Sequence, residues 1–405
     1  MESPWLWGSR LAVCGSLGLL VTGLENNRHG GSLLTDLISS QPDLLSTEVA
    51  DFVESHFGLK VGLEPLDSER DQNFLATELS GGQKYVVKIG NSKSDLSFIE
   101  LENEAMLRLA ATDLEKLVPQ PILGTRGKPV AFLENQEARF PVRVVQYIPG
   151  ELLANVYPQT EGLLFDLGSV LGKVAAAFDG FQHSAAQREF HWDLDRVLPT
   201  LTRYREFSEP CREIDVFLDR YQARVLPRLE SLRKSIIHND ANDHNVIVNP
   251  RGEPVRKIAG LIDFGDMVFA STVNELAIAM AYVMLNTTDP VRSASCVVQG
   301  FHENFALADE EIDVVFDLAC MRLCSSVVIA GYQRSLNPEN HYLSVTDLPA
   351  QQRLKTLAQV DSEFAACVFR SVCQKPASPK GKRIESFLKR EGPSFHPVLG
   401  FPLVQ

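Results

Sequence analysis

The sequence predicts an α+β fold of two lobes, a small lobe built on an antiparallel sheet and a larger, mainly helical lobe. Up to about residue 148, apolar and polar residues alternate along several short stretches, which is the period of half-buried strands. Beyond residue 149, apolar residues recur at the spacing of a helix face. The exception is a strand-rich stretch at 236–264, in which short polar residues separate two runs of Ile and Val.

The elements of the small lobe follow one another in a simple order. A helix is predicted at 48–57, strands at 60–66, 73–80 and 84–90, a second helix at 98–113, and two more strands at 129–135 and 140–148. Turn residues punctuate this series, with Gly81 and Gly82 between two strands and Pro149 and Gly150 after the last one. The larger lobe continues with helical patterns at 162–181, 213–232, 273–285 and 314–335.

The chain divides into four predicted segments. We expect residues 1–44 to form a poorly ordered extension, 45–148 the small lobe, 149–374 the large lobe and 375–405 a basic, loosely held tail. The apolar run at 11–24 is shorter than the ~20 residues that span a bilayer, and glycines interrupt it. The sequence therefore predicts no membrane-spanning segment.

Composition narrows the classes of partner. The 405 residues include 39 Lys and Arg against 52 Asp and Glu, which gives a formal net charge of −13. This balance disfavours nucleic acid and anionic membrane surfaces as partners, and it suits a cationic small molecule. The seven cysteines form no C-x-x-C pair, which favours reduced thiols and a cytoplasmic protein.

The polar stretch HNDANDHN at 238–245 is the most informative motif. Because Asn and Asp often bond their own backbone, the stretch by itself would also suit a simple polar turn. However, a second strand soon delivers Asp263 into the sequence DFGD, and Lys88 ends the strand-like sequence YVVK upstream. Phosphoryl transfer from a nucleotide needs an orienting base, oxygen ligands for Mg²⁺ and a cation for the phosphates. The two loops and the strand together supply these groups.

These motifs resemble those of a known family. HNDANDHN is similar to the H-x-D-x-x-x-x-N catalytic loop, and IDFGD to the D-F-G metal loop, of protein-kinase-like folds. With DQNF, YVVKI, ELAIAMAYVML and the hinge YIPG, the chain resembles the aminoglycoside phosphotransferase and choline kinase superfamily over roughly 45–374. Asn239 stands where protein kinases have arginine, as suits this branch. The resemblance implies a bilobal protein-kinase-like fold, with the nucleotide bound by the small lobe.

The resemblance also implies roles in catalysis and metal binding. Asp240 corresponds to the catalytic base or hydroxyl-orienting group. Asn245 and Asp263 correspond to ligands of Mg²⁺. His238 is expected to brace the loop by hydrogen bonding rather than to act as a base.

Further residues are implied in nucleotide binding. Lys88 would hold the α- and β-phosphates, paired with a glutamate of the following helix. Glu104 fits the superfamily pattern, and Glu100, four residues earlier on the same helix face, is the alternative. The remaining residues implied here are Asn73 near the phosphates and Gln146 and Ile148 in the hinge.

The resemblance implies a donor and an acceptor. It implies GTP (or ATP) as co-substrate and the hydroxyl of 5-hydroxy-L-lysine as acceptor. Homoserine, choline, ethanolamine and aminoglycosides stay open as other acceptors. A catalytically inactive, kinase-like binding module is the alternative outside enzymes.

Four residues are candidates for acceptor binding. Arg322 stands in an apolar helix, where a buried guanidinium needs either an internal carboxylate or the carboxylate of a substrate. Asp243 and Asp266 flank the catalytic positions, and they would either bind the amines of a cationic substrate or cap turns. Tyr282 is placed to line the pocket, although core packing also suits it, as it does Trp192.

Overall fold

The structure is a computed structural model that describes residues 42–66, 68, 71–134, 138–336, 347–378 and 380–399. The predicted N-terminal extension, up to residue 41, lies outside the described residues together with its apolar run. The α+β class is confirmed: an antiparallel sheet forms the N-terminal part, and the C-terminal part is mainly helical.

The small lobe is a five-stranded antiparallel sheet in the order β1-β2-β3-β5-β4. Alternation along β3 sends Val87 and Ile89 into a core that includes Val49 and Val53 of helix α1, whereas Lys88 faces the cleft between the lobes. The strands are β1 (Val61–Leu66), β2 (Gln72–Glu78), β3 (Lys84–Ile89), β4 (Ala131–Glu134) and β5 (Arg139–Gln146), and the helices are α1 (Ser46–Phe57) and α2 (Leu96–Ala110).

The strand register aligns three polar residues across this sheet. Asn73 of β2 pairs with Lys88 of β3, and Lys88 pairs with Arg143 of β5. Because directly paired residues point to the same face of an antiparallel sheet, the three side chains form a row on the cleft side. The strand alternation predicted the position of Lys88, but its neighbour Arg143 became visible only in the register.

The large lobe packs its helices around one apolar core. Helices α3 and α7 approach so closely that a Cβ on Gly168 would stand 2.0 Å from the carbonyl oxygen of Val297. Helix α8 is long and apolar enough to cross a membrane, yet its apolar window is entirely buried inside the fold. The helices are α3 (Glu161–Phe178), α4 (Val197–Tyr204), α5 (Arg212–Arg220), α6 (Val273–Val283), α7 (Pro290–Asn304), α8 (Asp309–Leu336), α9 (Asp347–Leu357), α10 (Ser362–Val372) and α11 (Gly381–Leu399).

Short strands carry the two polar loops to one place. The loop at 238–245 joins β7 to β8, and Asp263 follows β9. The loops are tied together because the Ile262 N–H donates to the Asn245 carbonyl at 2.9 Å. The strands are β6 (Glu151–Leu152), β7 (Lys234–Ile237), β8 (Val246–Val248), β9 (Ile258–Leu261) and β10 (Val268–Ser271), in sheets ordered β6-β8-β9 and β10-β7.

The C-terminal tail contains a helix that the sequence analysis did not predict. Helix α11 continues through Pro393 and Pro397, residues that disfavour a helix interior. An ion pair between Glu385 and Lys389, one turn apart, supports its first half. The expectation of a loosely held tail was based on its basic composition and on its prolines and glycines.

Candidate active site

The loop at 238–245 has an uncommon backbone conformation, which the buried side chain of Glu275 stabilises. Asn239 has a φ of 66°, in the left-handed region, where the backbone turns sharply. Glu275 at the start of α6 accepts the backbone N–H groups of His238 and Asn239 at 2.6 and 3.2 Å. Burial raises the pKa of Glu275 to about 7, against the opposing effect of these two donors. Sequence reasoning missed Glu275, although an acid in the otherwise apolar helix ELAIAMAYV was a usable signal.

His238 braces the loop, as the sequence suggested. Its Nε2 hydrogen-bonds the Ile262 carbonyl at 3.1 Å, and its Nδ1 accepts the Asp240 N–H at 3.3 Å. Together these bonds require the neutral ring with the proton on Nε2. Burial lowers the pKa of His238 to about 4, which keeps the ring neutral. The imidazole therefore links the loop to the strand that precedes Asp263.

Asp240 stands at the centre of the site and is 4% exposed. Its Oδ1 accepts from Arg322 Nη2 at 2.7 Å, and its Oδ2 accepts from Asn245 Nδ2 at 2.7 Å. Burial raises the pKa of Asp240, the charge of Asp266 raises it further, and Arg322 opposes both effects. The carboxylate is thus fixed in orientation by two donors, which is what an orienting group for a hydroxyl needs.

Asn245 and Asp263 meet the requirements of a divalent metal site. Because Asn245 donates its Nδ2 to Asp240, its Oδ1 is left buried and without a partner among the described residues. Asp263 Oδ1 accepts a hydrogen bond from Lys88 Nζ at 3.2 Å, and its Oδ2 has no partner in the same part of the chain. Hard oxygens of this kind, on two loops that the Ile262–Asn245 hydrogen bond holds together, suit Mg²⁺, and Asp263 also lines the cavity between the lobes. The residue types and their placement therefore fit the metal that the motifs imply.

A cavity between the lobes continues from these residues to the hinge. Gly150 brings the hinge against β8, because a Cβ there would stand 2.2 Å from the carbonyl oxygen of Val248. The predicted residues Lys88, Gln146 and Ile148 all line the cavity, and Asn73 is buried beside Lys88 in the strand register. The cavity is lined further by Leu66, Leu75, Val86, Glu102, Met106, Pro119, Arg143, Val145, Tyr147, Gly150, Leu152, Ile247, Ile262, Asp263 and Phe264.

The structure corrects the expected partner of Lys88. Glu104 and Glu100 are both exposed, on the outer side of α2, whereas Glu102 is buried and lines the cavity. Glu102 pairs with Arg143 at 2.5 Å, and Lys88 pairs with Asp263 instead. The error was one of helix phase, since the buried residues Ile99, Glu102, Asn103 and Met106 mark the inner face.

The candidate acceptor side lies across Asp240 from the nucleotide cavity. Arg322 is 2% exposed, and its guanidinium stands 4.2 Å from the centroid of Trp192 and 5.8 Å from that of Tyr282. Its Nε and Nη1 have no hydrogen-bond partner among the described residues. Tyr282 and Trp192 are half-buried, so both contact the site as well as the core.

The two acidic candidates differ in their surroundings. Asp266 is 1% exposed and lies near enough to Asp240 to raise its pKa. The Asp243 carboxylate forms a hydrogen bond with His244 Nδ1 at 3.1 Å, and the backbone carbonyl of Asp243 accepts the Ala154 N–H. The structure therefore brings Asp266 to the centre of the site and leaves Asp243 at its edge.

Comparison with known proteins identifies the family. The sequence model described as "Phosphotransferase enzyme family" (APH) matches residues 62–310, more than half of the chain. The chain belongs to this phosphotransferase family. It acts on an alcohol group of a small molecule, which confirms the enzyme class expected from the motifs.

Curated relatives of this phosphotransferase cover most of its length. It is 31% identical to the hydroxylysine kinase of Danio rerio over 340 residues, 80% of the chain and 94% of that relative. It is 30% identical to the hydroxylysine kinase of Xenopus laevis over 369 residues, 84% of the chain and 96% of that relative. The predicted resemblance to this branch of the superfamily is thereby confirmed.

Solved structures share the fold of this phosphotransferase. An amicoumacin kinase aligns with a TM-score of 0.59 at 17% identity, covering 79% of the chain and 96% of that protein. A microcompartment-associated aminopropanol kinase aligns with a TM-score of 0.55 at 16% identity, covering 81% and 98%. The kinase-like bilobal fold is therefore confirmed, and at these identities the likeness shows the fold alone.

Proposed function

We propose that this phosphotransferase transfers the γ-phosphate of GTP to the hydroxyl of 5-hydroxy-L-lysine, giving 5-phosphohydroxylysine, with Mg²⁺ and in the cytoplasm. The curated hydroxylysine kinases that cover four fifths of the chain support this acceptor. Within the site, the observation that carries the proposal is Arg322, a buried guanidinium that pairs with Asp240 and whose Nε and Nη1 have no hydrogen-bond partner among the described residues.

Arg322 separates the candidate acceptors by their chemistry. A guanidinium in a buried site binds a carboxylate through two parallel hydrogen bonds. Choline, ethanolamine and aminoglycosides have no carboxylate, whereas hydroxylysine and homoserine have one. Hydroxylysine carries a second ammonium group, for which Asp266, and Asp243 at the edge of the site, would supply negative charge. The combination favours a dibasic amino acid over homoserine.

We assign each part of the transfer to a described residue. Asp240 would accept the hydrogen bond of the acceptor hydroxyl and orient its oxygen for in-line attack on the γ-phosphorus. As the new bond from this oxygen to the γ-phosphorus forms, the hydroxyl proton would pass to Asp240, the bond from the γ-phosphorus to the bridging oxygen would break, and GDP would leave. Lys88 would pass from Asp263 to the phosphates, with Asn73 beside it in the strand register. Asn245 and Asp263 would hold Mg²⁺, which would supply positive charge to the phosphate oxygens. Most of the rate enhancement would come from positioning and electrostatics.

The inactive-module alternative receives no support from the site. Lys88, the loop that carries Asp240 and Asn245, and Asp263 come from three separate elements. Lys88 pairs with Asp263, Asn245 donates to Asp240, and the Ile262 N–H ties the two loops together. Among solved relatives, the amicoumacin kinase was seen with AMP-PNP and Ca²⁺, and an aminoglycoside kinase with GDP and kanamycin. These complexes support a nucleotide and a divalent cation in the corresponding cleft of this chain.

A donor and acceptor panel tests the proposal. Purified full-length protein with MgCl₂ is assayed with GTP and with ATP against 5-hydroxy-L-lysine, homoserine, choline, ethanolamine and kanamycin. We expect the highest kcat/KM for GTP with 5-hydroxy-L-lysine. Turnover of choline or kanamycin without turnover of 5-hydroxy-L-lysine would refute the acceptor. Equal kcat/KM for ATP and GTP would refute the donor.

A further inference from the structure

We propose that Arg143 is a specificity-determining residue that recognises the base edge of the donor nucleotide and favours guanine over adenine. This inference rests on the proposed function, because it explains a preference for GTP. It starts from the cavity itself, in which Arg143 is a cation that the motifs did not reveal.

The position of Arg143 connects the phosphate end of the cavity to the hinge. It pairs with Lys88 across the sheet, and it lies three residues before Gln146 on the strand that leads into the hinge. Arg143 and Val145 both line the cavity, together with the hinge residues Gln146 and Ile148. Arg143 and the hinge residues therefore face the same cavity, and our proposal places the purine between them.

The hydrogen bonding of Arg143 leaves a donor unused. Arg143 is 6% exposed, and its Nη2 donates to Glu102 at 2.5 Å. Its Nη1 is buried and has no hydrogen-bond partner in the part of the chain that the structure describes. A buried N–H group without an acceptor is unfavourable, so a ligand atom that accepts a hydrogen bond is stabilised here. Glu102 meanwhile anchors the other side of the guanidinium and fixes its direction.

The two purines differ at the edge that would face this donor. Guanine presents two acceptors, N7 and O6, whereas adenine presents the acceptor N7 beside the donor amino group at position 6. A guanidinium has donors only. Arg143 therefore complements the guanine edge and opposes the adenine amino group. Inosine shares N7, O6 and the N1–H with guanine and lacks only the 2-amino group, so ITP removes the contribution of that amino group from the comparison.

The test compares nucleotides and variants. We measure kcat/KM for GTP, ITP and ATP, at saturating concentration of the acceptor that turns over, in wild type, Arg143→Met and Arg143→Lys. In wild type, ITP should resemble GTP and exceed ATP. Arg143→Met should lower the GTP-to-ATP ratio of kcat/KM about tenfold, the effect of losing one charge-assisted hydrogen bond. Arg143→Lys, which keeps the charge beside Glu102, should give an intermediate ratio.

Two further variants keep the result interpretable. Arg139→Met is the matched control, because Arg139 lies on the same strand with its side chain 59% exposed, and it should leave the ratio unchanged. The double variant Arg143→Met with Glu102→Gln removes both buried charges. It should show the lowered GTP-to-ATP ratio of kcat/KM, and its melting temperature should lie closer to that of wild type than the melting temperature of Arg143→Met does.

The outcomes separate this inference from the proposed donor. A wild-type preference for GTP that persists within twofold in Arg143→Met overturns the role of Arg143 and leaves the donor assignment standing. An equal fall in kcat/KM for all three nucleotides in Arg143→Met overturns it too, because a residue that contacts the phosphates would affect the three nucleotides equally. Equal use of ATP and GTP by wild type overturns the donor assignment, and this inference with it.

Discussion

Replacing Arg322 by methionine is expected to abolish the selectivity for acceptors that carry a carboxylate. Methionine retains apolar volume beside Trp192 but donates no hydrogen bond. In the structure Arg322 Nη2 donates a hydrogen bond to Asp240, and Nε and Nη1 have no partner among the described residues. One of these two atoms, together with the second N–H of Nη2, can form two charge-assisted bonds to a substrate carboxylate; at about 1.5 kcal/mol each they amount to about 3 kcal/mol, or roughly a hundredfold in kcat/KM.

The assay uses two acceptors that differ in one group. 5-Hydroxy-L-lysine is compared with 1,5-diaminopentan-2-ol, the same carbon chain without the carboxylate. Wild type should prefer 5-hydroxy-L-lysine by about a hundredfold in kcat/KM, and Arg322→Met should bring the ratio close to one. Because both acceptors depend equally on Asp240, damage to that residue cancels in the ratio.

A preserved ratio would refute the reasoning. If Arg322→Met still preferred 5-hydroxy-L-lysine by about a hundredfold, the carboxylate would bind elsewhere, and Arg322 would serve only to pair Asp240. Arg322→Lys provides the control, since it keeps a positive charge beside Asp240. It should melt near the wild-type temperature and retain part of the selectivity.

Three further predictions concern the catalytic loop. Asp240→Asn should lower kcat about a thousandfold while GTP binds with nearly unchanged Kd in calorimetry, and an unchanged kcat would contradict the role of the carboxylate. Asn245→Ala should raise the Mg²⁺ concentration needed for half-maximal activity several-fold, because it removes a hard oxygen ligand; an unchanged Mg²⁺ dependence would argue against that ligand. His238 has a folded pKa of about 4, below its ordinary 6.5, so the unfolded chain takes up a proton that the folded chain excludes. Its contribution to stability is therefore complete above pH 6.5 and is lost as the pH falls towards 4, by about 3 kcal/mol in all. Glu275, whose folded pKa of about 7 lies above its ordinary 4.5, contributes a slope of the opposite sign over the same range, so the measurement is the difference between wild type and His238→Gln. In urea unfolding, wild type should lose stability relative to His238→Gln as the pH falls from 7 to 4; equal slopes in the two proteins would disprove the assignment.

The catalytic and metal-binding candidates were predictable because they belong to short motifs. Asp240 and Asn245 lie five residues apart in one loop, and strand alternation by itself turned Lys88 towards the cleft. The partner of Lys88 was not predictable in the same way. Glu100, Glu102 and Glu104 span just over one turn of α2. A step of two residues turns the side chain by about 200° around the helix, so choosing the wrong glutamate exchanges the buried residue for one on the exposed face.

By itself, the sequence determined the α+β class, the two-lobed order of elements and the loops that supply Asp240 and Asp263. These features depend on periodicity and on spacing within a few residues, which the chain carries locally. The tertiary structure alone decided which distant residues meet. Arg322 reaches Asp240 from 82 residues away, and Arg143 stands beside Lys88 through strand register. Pairings of this kind depend on packing and register across the whole fold, which no local pattern encodes.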